Sequence, residues 1–92
     1  MEAGGEPELK LAIIEADDFL YETLQDMDYL GETFEDSISS AKGKLVSSID
    51  EVLEAHAIRN SIVYDPSYRL DPEKAKRILL VYESAIKSIV AR

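Results

Sequence analysis

The chain has no cysteine among its 92 residues, which excludes a disulfide framework and any thiolate metal site. It has one histidine, His56, and a single imidazole cannot assemble the nitrogen-rich set that zinc usually takes. No apolar run approaches the roughly 20 residues of a membrane span, and the N-terminus lacks a signal-peptide pattern. The expectation is a soluble, cytoplasmic chain with no membrane partner. No stretch alternates apolar and polar residues as a half-buried strand does, and no internal repeat is present. Only three prolines and four glycines occur, and most of them fall where helices should begin or end.

What remains is helical periodicity. Met1 to Pro7 is small, polar and breaker-rich and reads as a flexible tail. From Glu8 to about Asp28, Leu9, Ile13, Ala16, Leu20, Leu24 and Met27 recur at spacings of three and four, which predicts a long amphipathic helix stopped by Gly31. Thr33 is the expected N-cap of a short, serine-diluted helix ending at Gly43. Ser48-Ile49-Asp50-Glu51 reads as a capping box, so a third helix should run from Ile49 to Tyr64 and stop before Pro66. Asp71-Pro72 pairs an N-cap with proline at the first helical position and opens a fourth helix toward the C-terminus. The fold class is all-α, a single antiparallel four-helix bundle over residues 8–92.

Charge is unevenly spread. Residues 1–54 carry 3 basic and 15 acidic side chains, residues 55–92 carry 7 basic and 4 acidic, and the net charge is −9. The acidic half argues against broad nucleic-acid binding, while the basic half leaves room for a small phosphate contact near Arg59 with RNA or a nucleotide.

The third helix holds the polar residues most in need of explanation. His56 and Asn60 share a face with Ile49, Val52, Leu53 and Val63, with Arg59 at its edge. Ile58 and Ile62 lie on nearly the opposite side. A helix apolar on two sides must be covered on two sides, and a chain this short often does that with a second molecule. Ile58, Arg59, Ile62 and Tyr64 are therefore the expected interface, in a homodimer or with another protein. Metal chemistry is disfavoured, because Leu53 rather than glutamate precedes His56 by three and Asp17 and Asp18 point about 100° apart. No metal or other cofactor is expected. A lone histidine on an apolar face is more often a packed, hydrogen-bonded core residue than a base.

Arg59-Asn60-x-x-x-Tyr64 followed by Asp65-Pro66 resembles the Arg-Asn-x-x-x-His segment of HEPN domains. Lys10 to Asp17, Gly31-Glu32-Thr33, Glu54 to Asn60 and Tyr82-Glu83 resemble other parts of small prokaryotic members in the same order. The resemblance implies a helical bundle that dimerises through the motif helix. In active members it implies a metal-independent ribonuclease, with arginine on phosphate and histidine performing acid–base chemistry. Arg59 matches that arginine and Asn60 the polar residue after it, but Tyr64 stands where the histidine belongs. An unperturbed phenol has a pKa near 10, too high for that work, and His56 precedes the arginine instead of following it. The first expectation is thus a non-catalytic HEPN-like module for dimerisation or protein binding, such as an accessory subunit. The alternatives are a toxin-like ribonuclease using Arg59 and Asn60 with Tyr64 or His56 as base, and a bundle that binds nucleotide or nucleic acid without catalysis.

Overall fold

A computed structural model describes residues 5–45 and 49–91. The described chain is all-helical, with α1 (Glu6–Asp26), α2 (Phe34–Ser40), a one-turn 3-10 helix (Lys42–Lys44), α3 (Ile49–Tyr64) and α4 (Pro72–Val90). The expected limits of α3 and the start of α4 coincide with these bounds. Asp71 caps α4 by accepting from the Lys74 N–H at 3.0 Å, with Pro72 behind it. Ser48, the expected cap of α3, lies outside the described residues.

Three boundaries differ from the sequence reading, each for a local reason. Helix α1 begins at Glu6, within the segment read as tail, with Pro7 in its first turn and Glu6 and Glu8 facing the helix dipole. Glu6 is also tied to the α3–α4 connection, where its carboxylate accepts from the Leu70 N–H at 2.7 Å. That bond, with the Arg69 and Lys10 charges beside it, holds the Glu6 carboxyl below its usual range.

Helix α1 ends at Asp26, five residues before Gly31. Asp28 takes the left-handed conformation, φ 66°. Its N–H bonds the Gln25 carbonyl at 3.1 Å, and the Tyr29 N–H reaches the Leu24 carbonyl at 2.8 Å. These two bonds form a Schellman motif with aspartate where glycine is usual. Gly31 has a different task. A Cβ there would stand 2.5 Å from the Asp36 Cβ and 2.7 Å from the Ser37 nitrogen, so only glycine lets this backbone lie against the start of α2. At the third boundary, α2 stops at Ser40 and the chain tightens into the 3-10 turn around Gly43.

Helix α1 packs along α4 and against α3, and α2 closes one end of the α1–α3 seam. Ile13, Leu20 and Leu24 of α1 meet Val52 and Ala55 of α3 and Ile78, Ala85 and Ile89 of α4 in one core with Phe34 and Ile38 of α2. Burying each of the larger side chains contributes roughly 1.5–3 kcal/mol. Ile58 belongs to this core at 7% exposure, and Ile62 packs against it half-buried. The second apolar side of α3 is thus covered by the chain itself at Ile58. Of the large apolar residues of α3, Val63 at 43% and Tyr64 at 77%, at its end, are exposed.

The two loop positions give opposite expectations for stability in denaturant titration. Asp28→Gly should stabilise by about 0.5–1 kcal/mol, since glycine adopts positive φ without the side-chain penalty. Gly31→Ala should destabilise by about 1–3 kcal/mol, the usual cost of forcing a methyl group into a packed contact.

Candidate functional site

Helix α1 carries the row Ile13, Asp17, Leu20, Leu24, one turn per step. Three of these are core aliphatics; Asp17 stands among them at 3% exposure. The neighbouring helices present polar groups at its level. Tyr82, in the apolar row of α4, donates its hydroxyl proton to Asp17 Oδ2 at 2.7 Å. His56 of α3 places Nδ1 2.8 Å from the same oxygen. A carboxylate offers only acceptors, so this bond puts the ring proton on Nδ1. Arg59, one turn after His56, brings Nε to 3.7 Å from Asp17 Oδ1 and Nη2 to 3.4 Å from Asp18 Oδ1. Its Nη1 donates to Asn60 Oδ1 at 3.0 Å, while buried Nε has no hydrogen-bond partner.

The ring of His56 is fixed from a third direction. Phe34 lies parallel to it, with centroids 4.0 Å apart and planes 3° apart, and Tyr21 flanks Phe34 at 6.3 Å. Phe34 is the first residue of α2, whose start is set by Thr33 accepting from the Asp36 N–H at 3.1 Å. The outer nitrogen, Nε2, is 3.9 Å from Glu35 Oε2. A cavity of about 220 Å³ opens here, lined by Asp17, Asp18, Tyr21, Glu32, Thr33, Phe34, His56 and Arg59. Its three carboxylates outnumber its cations even if His56 is counted as charged. A phosphate entering it would meet negative potential.

The sequence candidates are thereby separated. Arg59, Asn60 and His56 come together around Asp17, whereas Tyr64 ends α3 facing solvent, about 140° around the helix from Arg59. Tyr64 and Arg59 therefore do not form a composite site within one chain. Tyr82 has no acid–base role at neutral pH. Burial, then the hydrogen bond to Asp17 and that carboxylate's charge, push its phenol far above the ordinary value. Among the described residues no group of three or more histidine, cysteine, aspartate or glutamate side chains is placed to hold a metal, and no helix is long and apolar enough to cross a membrane. Asp17 and Tyr82 are the members that motif reasoning missed. The signal for Asp17 was present as the one charged residue in the apolar row of α1.

Comparison of the chain with protein-family models, with curated proteins and with solved structures finds no match. The HEPN resemblance therefore rests on the residues quoted above.

Removing Asp17 leaves a buried imidazole and phenol without their acceptor and takes from the Arg59 guanidinium one of its two carboxylates. Asp17→Ala should cost roughly 3–5 kcal/mol, and Tyr82→Phe about 1.5–3 kcal/mol for a hydrogen bond to a charged group, both read by denaturant titration. Because the Tyr82 phenol is raised in the folded chain, its contribution is complete below the unfolded pKa near 10. Above that pH the unfolded chain ionises first, and stability should fall by up to about 1.4 kcal/mol per pH unit. Tyr82→Phe should remove this part of the alkaline loss, and an unchanged slope would contradict the assignment.

Proposed function

We propose that the chain is a non-catalytic, HEPN-like helical bundle that works by associating with another protein chain. The observation that carries this reading is the position of Arg59. Its guanidinium is only about one-fifth exposed, and it turns toward Asp17 and Asp18 instead of standing open to a phosphate. An arginine already matched by carboxylates offers little to a polyanion, and the tyrosine at the motif histidine position points elsewhere. Support for association comes from large apolar side chains left open on the outer faces of α1 and α4: Phe19 at 55%, Leu80 at 63% and Val90 at 48%. In a chain of this size, surface of that kind is the usual mark of a contact with another protein.

A second reading keeps one specific observation. Asp17 orients His56 through Nδ1 and leaves Nε2 toward the cavity, the arrangement of a carboxylate-supported base. Under this reading the chain cleaves RNA without metal and His56, not Tyr64, is the base.

Incubation of the purified chain with RNA in the presence of chelator separates the two. The proposal expects intact RNA, and it expects Tyr64→His to remain equally inert, because the new imidazole would face solvent on the far side from Arg59. Cleavage that is abolished by Arg59→Ala or His56→Ala, with the variants still folded, would overturn the proposal in favour of the second reading.

A further inference from the structure

The outer face of α4 carries Leu80, Glu83, Lys87 and Val90 at spacings of three, four and three, which places them in one stripe along the helix. All four are exposed, Leu80 at 63% and Val90 at 48%, with the Glu83 and Lys87 side chains at 56% and 73%. The stripe separates two hollows, both lined in part by Glu83 and Lys87. One, of about 300 Å³, lies between α1 and α4 and is walled mainly by Ala16, Phe19, Leu79 and Ile86. The other, of about 520 Å³, lies beyond Leu80, along Ser84, Ser88 and Ala91. Together they make one apolar surface crossed by one glutamate and one lysine.

We infer that this surface is occupied by a second copy of the chain, with the two α4 helices antiparallel across a two-fold axis that passes between Glu83 and Lys87. The inference rests on the association reading above and names the partner. Its argument is charge complementarity. A two-fold contact pairs a residue with its mirror position, and one register satisfies the whole stripe. With the axis midway between Glu83 and Lys87, Glu83 meets Lys87 of the second copy, Lys87 meets Glu83 of the second copy, and each Leu80 meets the other copy's Val90.

The location also answers an electrostatic problem. Two copies that each carry a net charge of −9 repel one another over most of their surfaces. Helix α1 has seven acidic residues and one basic, whereas α4 has four basic and two acidic. Between Leu80 and Val90 helix α4 carries one acidic and one basic residue, with Lys74, Lys76 and Arg77 before the stripe, so two copies can meet along it without net like-charge repulsion, and Phe19 of α1 rims the contact.

The test uses the intact chain in sedimentation equilibrium with two opposite single substitutions, Glu83→Lys and Lys87→Glu. Both positions are exposed, and losing their 3.3 Å intrahelical pair costs the helix only a few tenths of a kcal/mol; unchanged helical circular dichroism verifies the fold. Wild type should be dimeric. Each variant alone, now facing like charge across the axis, should dissociate at least about tenfold more readily. An equimolar mixture of the two should recover wild-type association, because every cross-axis pair is then opposite in sign. Leu80→Asp should weaken association by about tenfold or more, because it sets a carboxylate against the other copy's Val90. A wild-type chain that stays monomeric at millimolar concentration overturns the inference, as do single variants that dimerise like wild type. If RNA is left intact in either of those cases, the non-catalytic reading stands and the stripe belongs to a different protein. Cleavage of RNA would remove the reading beneath it.

Discussion

A carboxylate at 3% exposure is tolerated only if its charge and lone pairs are met from all sides, and Asp17 imposes that condition on the whole chain. Its partners come from α3 and α4: the Tyr82 hydroxyl, the His56 imidazole and the Arg59 guanidinium. Each is useful only if its helix stands at one height and one rotation relative to α1. Apolar packing brings the helices together without naming a register. A buried acceptor with two hydrogen-bond donors and a guanidinium beside it names one, since a shift by a single residue would leave charges unpaired. The short helix α2 serves the same centre by laying Phe34 flat over the imidazole.

The same arrangement bears on function. The pair Arg59-Asn60 draws attention in the sequence because such residues on an apolar helix require partners. Those partners are inside the chain. Arg59 faces Asp17 and Asp18, Asn60 accepts from Arg59, and Ile58 is covered by the core. The demand for a second molecule at the middle of α3 therefore disappears there. Open apolar side chains include Phe19 on α1 and Leu80 and Val90 on α4, besides Val63 and Tyr64 at the end of α3.

How much of this was legible beforehand follows from the range of each signal. Helix α3 and the start of α4 could be placed because their stops and starts are local: Pro66 ends one, and Asp71-Pro72 begins the other. Asp28 was not recognisable as the end of α1, because an aspartate in left-handed backbone leaves no pattern that distinguishes it from a surface acid. Gly31 attracted the right suspicion for the wrong reason, since its neighbour is the start of α2 across the turn. His56 could be read as a packed core residue from its face alone. That its acceptor would be Asp17, 39 residues earlier, required knowing how α1 and α3 align, and no helical period carries that information. A closer reading of α1 would have narrowed the choice, because a lone aspartate in a row with Ile13, Leu20 and Leu24 needs a buried donor.

The central claim is that Asp17 locks His56 and Arg59 into the interior and so withholds the arginine from phosphate. Proton exchange measured by nitrogen-15 NMR on the uniformly labelled chain reports on this directly. The account predicts a His56 Nδ1 proton and an Arg59 Nε proton that exchange slowly, vanish together in Asp17→Ala, and are unmoved by added oligonucleotide. An imidazole and a guanidinium exchanging at solvent rates in the wild-type chain, or an Arg59 resonance that shifts on titration with RNA, would contradict it.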